Sequence, residues 1–290
     1  MRKWVWLALL LINPASFGQD LRPRLFVSNE KSNSILVYDL AAQGDESPLR
    51  RIFGFRTQLD QPQQLAVHEG ELFVCSADSV LVFDLQGEGN LPPLRQLTVD
   101  HARGVAVHRD ELFVTSQDAI LVFALKAEKD AKPRRRIQGS DTKMKGPHGL
   151  LVYNGQIVVA DEPTDQLLGF DLKAHGNVAP TGFWRAWRPR LWRPRGIVEW
   201  QNRFYVAGDG GNMTVLDATR PEEQSPPLHY FALSLNGPVG LTRWQSELFV
   251  ANKLDNSTVV TSSESGPLRK ISGGHTRLSM PTGVAVALSR

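Results

Sequence analysis

The chain has a single cysteine, Cys75, among its 290 residues. One thiol excludes an internal disulfide framework and any metal site built from several cysteines. Long apolar runs are missing too. The most apolar stretch, Trp4 to Ile12, has nine residues, far short of the roughly 20 that a membrane-spanning helix needs. Charge of one sign is not in excess: 33 Lys and Arg face 30 Asp and Glu, a net +3. No global field therefore steers the protein to nucleic acid. At 41% hydrophobic and 22% charged residues, the composition is neither disordered nor collagen-like. Gly-x-Ser-x-Gly, a phosphate-binding glycine loop and His-Glu-x-x-His are all absent, which removes the local signatures of several hydrolase and nucleotide chemistries.

The first residues have the order of a secretory signal. Arg2 and Lys3 precede the apolar run, and Ala15, Ser16 and Gly18 supply small residues for cleavage after Gly18. Residues 1–18 are thus expected to be a signal peptide, leaving 31 basic against 30 acidic residues in a secreted or periplasmic protein that spans no membrane. Cys75 ends a strand-like segment at a position matched elsewhere by Ser28, Thr115, Ala160, Ala207 and Ala251. That pattern assigns it a small core role.

What the sequence has in plenty is repetition. Leu25-Phe26-Val27 recurs as Leu72-Phe73-Val74, Leu112-Phe113-Val114, Ile157-Val158-Val159, Phe204-Tyr205-Val206 and Leu248-Phe249-Val250, at spacings of 47, 40, 45, 47 and 44 residues. A second apolar segment follows each copy, as in Ser34 to Leu40, Ser79 to Leu85 and Ala119 to Leu125. A proline then opens a third: Pro48, Pro93, Pro133, Pro180, Pro227 and Pro267. Proline is tolerated at the start of an edge strand, where its missing N–H leaves no ladder bond unmade. A fourth segment precedes every copy but the first, and the missing one stands at the C-terminus as Pro281 to Val286. The last strand can therefore complete the first unit and close a ring, which hides strand edges.

Six four-stranded units of this size predict an all-β, six-bladed β-propeller with the C-terminal strand closing the first blade. The expected organisation is one propeller domain over residues 19–290. Its blades are placed at about 24–56 plus 280–287, 61–99, 101–138, 146–187, 193–233 and 236–272. The Pro-x-Gly-Ile/Val-Ala-Val, Leu-Phe-Val-Ala/Ser-Asn and Ile-Leu-Val-Phe-Asp pattern resembles the NHL-type repeat over Leu25 to Val286. That resemblance implies the fold but no single function, because NHL-like propellers include binding scaffolds and enzymes.

With strands named a to d from the channel outward, the residue before the strand-a glycine should ring the top of the channel. These residues are Thr282, Gln63, Arg103, His148, Arg195 and Val239. Arg103, His148 and Arg195 fall in consecutive blades, and converging cations suggest an anion site. The competing reading pairs each arginine with a nearby carboxylate such as Asp161 or Asp209. The loop Phe183 to Arg195 adds Trp184, Trp187, Arg188, Arg190 and Trp192, residue types suited to stacking and to protein interfaces. His68 and His108 occupy equivalent bottom-face turns and are expected to be structural.

Peptide-amidating lyases, NHL-like enzymes with a histidine-held zinc, are resembled only at Pro147-His148-Gly149-Leu150. The matching positions of the other blades hold Gln, Arg, Arg, Val and Thr, and one histidine does not make a zinc site. No metal or cofactor is expected. The expected function is non-enzymatic binding of an anionic small molecule or an acidic protein surface on the top face. The alternative is a lyase or hydrolase acting on a small anion at the channel mouth.

Overall fold

The computed structural model describes residues 21–185, 191–209, 211–221, 228–231, 235–262 and 267–290. Residues 1–18, the expected signal peptide with its cleavage site, lie outside these. The protein is a six-bladed β-propeller: six antiparallel four-stranded sheets whose innermost strands contact one another in a closed ring. Blade 1 is built from Pro281–Ser289 (a), Arg22–Asn29 (b), Ser34–Asp39 (c) and Arg50–Phe53 (d). The C-terminal strand pairs Val286 with Leu25, Ala285 with Phe26 and Val284 with Val27.

Strands b and c are buried on both faces because each blade is sandwiched between two neighbours. Alternation along a strand sends successive side chains to opposite seams. In blade 1, Phe26, Ile35 and Val37 pack against Leu72, Val74, Leu81 and Phe83 of blade 2. Leu25, Val27, Leu36 and Tyr38 pack against Phe249, Ala251 and Val260 of blade 6. The Leu-Phe-Val motif therefore serves two cores at once. Cys75 is one such seam residue, and burial pushes its thiol up, out of reach of thiolate chemistry.

The outermost strands, which an isolated blade would leave as bare edges, are covered by the next blade. The c–d loop of each described seam places one residue against the preceding outer strand: Gly44 on Ile271, Gly89 on Ile52, Lys129 on Leu97 and Gly176 on Ile137. Two main-chain bonds hold each, as in Gly89 N–H to the Arg51 carbonyl at 2.6 Å and Phe53 N–H to the Gly89 carbonyl at 3.1 Å. Outer-strand arginines reinforce the seams. Arg135 donates to the Leu172 carbonyl at 2.5 Å and Arg269 to that of Leu40 at 2.8 Å, each while paired to a glutamate of its own blade. The equivalent Arg95 grips Glu71 through both nitrogens, and that hydrogen bonding holds the Glu71 carboxyl down at about 2.

The latch residue always has positive φ, 63° at Gly44, 77° at Gly89 and 77° at Gly176, but Lys129 adopts 54° with a side chain. Lys129→Gly is accordingly expected to be neutral or to stabilise by up to about 1 kcal/mol, because the left-handed conformation is disfavoured for residues other than glycine. Thermal unfolding of that variant against Gly89→Ala, which should lose stability, checks the assignment.

Candidate functional site

Every innermost strand skips a partner near its top, for example between Ala102 and Val105, Pro147 and Leu150, and Pro194 and Gly196. Such a bulge re-aims a side chain. The glycine within it is forced by the neighbouring blade. A Cβ on Gly104 would lie 2.1 Å from the His148 carbonyl oxygen, and one on Gly149 would lie 2.3 Å from that of Arg195. The same close approach recurs from Gly196 to Val239, Gly240 to Thr282 and Gly283 to Gln63. The ring-facing residue is thus fixed by its own carbonyl resting on the adjacent glycine.

These strands bring Gln63, Arg103, His148, Arg195 and Val239 together around a mouth cavity of about 470 Å³. Thr282 does not join them. It is fully buried, and its hydroxyl donates to the Pro62 carbonyl at 2.6 Å across the seam. Of a second ring, the residue that follows strand b in each blade, sequence reasoning named only Asp209, as a possible partner of an arginine, and that pair with Arg195 is present. This position holds Glu30, Ala77, Gln117, Glu162, Asp209 and Lys253, of which Glu30, Ala77, Glu162 and Lys253 line the same cavity. Its signal was available in the repeat register, three residues beyond the Leu-Phe-Val motif that marks strand b.

The second ring changes the electrostatics of the first. Arg195 pairs with Glu162 at 2.9 Å and Asp209 at 3.4 Å, and Arg193 pairs with the same two carboxylates. Burial alone would raise the Glu162 carboxyl, but the Arg195 hydrogen bond and charge hold it below its usual range. Lys253 pairs with Glu30 at 2.6 Å, and Gln63 donates to the same carboxylate at 3.1 Å. Arg103 alone among these cations makes no hydrogen bond or ion pair within the described residues.

His148 is 7% exposed, and neither ring nitrogen has a hydrogen-bond partner among the described residues. Burial, reinforced by Arg195 and Arg103, lowers its pKa from 6.5 to about 3. The expectation of three cooperating cations is corrected on two counts: His148 is neutral near pH 7, and Arg195 is already committed to carboxylates. Asp161 takes no arginine among the described residues. It caps the preceding loop, accepting the Lys145 and Gly146 N–H groups at 2.8 and 3.2 Å.

Below this level the channel is obstructed. Blade 2 carries Gln64 where the other blades carry glycine, and its carboxamide crosses the axis to donate to the Arg195 carbonyl of the opposite blade at 3.3 Å. The mouth is therefore a cup with a floor.

The tryptophan-rich loop divides. Trp187, Arg188 and Arg190 lie outside the described residues. Trp184 is not a surface ligand group. It is 3% exposed and packs edge-to-face on Phe204 at 5.1 Å, in a slot cleared by Gly169 and Gly182. Arg185 lies over the Phe183 ring at 5.1 Å and donates to Gln166. Trp192 is half exposed, at 51%. His68 and His108 end strands a at the face opposite the mouth. Among the described residues no group of three or more His, Cys, Asp or Glu is arranged for a metal ion, and no helix is long and apolar enough to cross a membrane.

No protein-family model matches the chain, and no curated protein resembles it closely enough to match. Solved structures do. A crystal structure of a protein of unknown function from Bacteroides caccae superposes with a TM-score of 0.67 at 12% identity, covering 91% of this chain and 98% of that one. A chain of a nidogen/laminin complex superposes with a TM-score of 0.66 at 14% identity, covering 92% and 98%. At these identities what is shared is the propeller fold.

Proposed function

We propose that this chain is a secreted or periplasmic binding propeller, built from NHL-type repeats, that holds a small anion in the mouth against Arg103. The observation that carries this reading is Arg103 itself, a guanidinium with no partner among the described residues at the rim of a floored cavity, beside a buried imidazole that also lacks one among them. A structural arginine in a seam has its carboxylate, as Arg195, Arg95 and Arg135 do. Arg103 presents its donors to the cavity instead, and a guanidinium fork suits a carboxylate or similar oxyanion. Neutral His148 offers one donor and one acceptor. An acidic side chain of a protein partner supplies the same chemistry, and the occurrence of this fold in a nidogen/laminin complex supports such a source. Binding is favoured over catalysis because a histidine with a pKa of about 3 holds a proton poorly as a base at neutral pH.

The test is calorimetric titration with acetate, citrate and sulfate. Arg103→Gln should weaken the best of these by about tenfold or more, the value of a hydrogen bond to a charged group, with the melting temperature unchanged. Arg195→Gln should instead lower the melting temperature, because Glu162 and Asp209 lose a partner. His148 itself should not switch sulfate affinity between about pH 5 and 8, since its imidazole is already neutral there. Stability should fall as pH drops from 6.5 toward 3: over that window the unfolded His148 takes up a proton that the folded one refuses. Anion binding by Arg103→Gln equal to wild type would sink the proposal.

A further inference from the structure

The seam between blades 2 and 3 lacks an element that three other seams display. The repeat from Leu72 to Leu112 spans 40 residues, whereas that from Leu112 to Ile157 spans 45. The shortfall falls just after the outer strand. Blades 1, 3 and 6 leave strand d through a Gly-x-x-Thr turn: Gly54 to Thr57, Gly139 to Thr142 and Gly273 to Thr276. Each threonine is buried and donates to the turn's glycine carbonyl at 2.6, 2.7 and 2.7 Å. The N–H two residues after the glycine is accepted by a latch-loop side chain of the next blade. Asn90, Asn177 and Asp45 play this part at 2.8, 2.8 and 2.7 Å. Blade 2 passes straight from Thr98 to Val99, with no Gly-x-x-Thr turn between them.

The missing turn leaves a groove of about 330 Å³. Its floor includes Val99, Leu121 and Phe123, and its walls include Asp130, Arg136 and Gln138. Leu121 and Phe123 retain 5% and 2% exposure, while their counterparts at the three filled seams are wholly covered. Asp130 stands where Asn90, Asn177 and Asp45 stand. It accepts the Thr98 hydroxyl at 3.0 Å and no main-chain N–H among the described residues. The acceptor that elsewhere holds the turn is therefore in place without a turn to hold.

We infer that this groove docks a short turn of Gly-x-x-Thr type from a partner polypeptide. The occupant is specified by what the fold itself puts in the equivalent place three times: a glycine to bend, a hydroxyl to be buried, and an N–H to meet the latch side-chain oxygen, an amide of Asn90 or Asn177 or the carboxylate of Asp45. The inference is independent of the anion reading, since none of these six groove residues lines the mouth.

The probe is the hexapeptide Gly-Gly-His-Thr-Arg-Leu, the sequence of residues 273–278, whose turn meets a latch carboxylate, Asp45; it is capped at both ends and titrated into full-length protein by NMR. Millimolar peptide should shift the amides of Thr98, Val99, Asp130 and Gln138 in fast exchange, as expected for so short a segment. Asp130→Ala, an exposed change, should weaken binding by about tenfold. Inserting Gly-Gly-His-Thr-Arg between Thr98 and Val99 should fill the groove from within, abolish the shifts and raise the melting temperature. Absence of shifts in the wild type, or equal binding by Asp130→Ala, would overturn the inference. So would self-association that moves the same amides without peptide, which would give the groove to a second copy of this chain.

Discussion

Gly104→Ala is expected to lower the melting temperature by roughly 6–12 °C, a loss of about 3 kcal/mol or more. The added methyl would sit 2.1 Å from the His148 carbonyl oxygen and 2.9 Å from Thr115 Oγ1. Both are held in place. Thr115 accepts from Gly104 N–H at 2.8 Å and donates to that same carbonyl at 2.6 Å, so one hydroxyl bridges blades 3 and 4. Ser28 does the same between blades 1 and 2, linking Gly283 N–H to the Gln63 carbonyl. Relieving the clash means moving one blade against its neighbour in a closed ring that has no slack. Gly274→Ala is the control: a Cβ there meets nothing within 4 Å, so that variant should stay within about 0.5 kcal/mol of wild type. Differential scanning calorimetry of the pair decides the matter. A Gly104→Ala protein that melts with the wild type would show that the glycine contacts do not close the ring.

Deleting residues from Met280 onward should have a larger effect still. It removes the whole innermost strand of blade 1 and with it Val284, Ala285 and Ala287, which belong to the seams on either side. It also takes away the Arg50 bond to Ser289 Oγ at 2.5 Å and leaves the pairing edge of Arg22–Asn29 open. An unpaired edge of that length is a template for intermolecular pairing. The truncated protein is expected to lose its cooperative transition and to aggregate, as judged by calorimetry and light scattering. Unchanged melting and a monodisperse monomer would refute ring closure by this strand.

The architecture was legible because each blade repeats the same alternation, and because a misplaced final strand announces closure. The phase of the repeat also located Arg103, His148 and Arg195 around one opening. What it did not convey is pairing between blades. Glu162 reaches Arg195 across a seam, and Lys253 reaches Glu30 across another. Such contacts join residues 33 and 223 positions apart, with no local pattern to signal them. Trp184 was misjudged for a related reason. Its row of arginines and tryptophans looks like a surface loop, yet Gly169 replaces the valine of other blades and opens a pocket for the indole. The latch motif, Gly44-Asp45, Gly89-Asn90, Lys129-Asp130 and Gly176-Asn177, stood four and three residues before each proline. Its role in sealing the neighbouring blade becomes visible only when the sheets are side by side.

The carboxamide of Gln64 lying across the axis makes the propeller a vessel with one door. Anything that enters past Arg103 meets the Gln64 carboxamide beneath it, so the mouth is the direct route in and out. A protein seated over blades 3 to 5 would then act as a stopper. If the mouth holds an anion as proposed, such a cover would lengthen its residence without touching it.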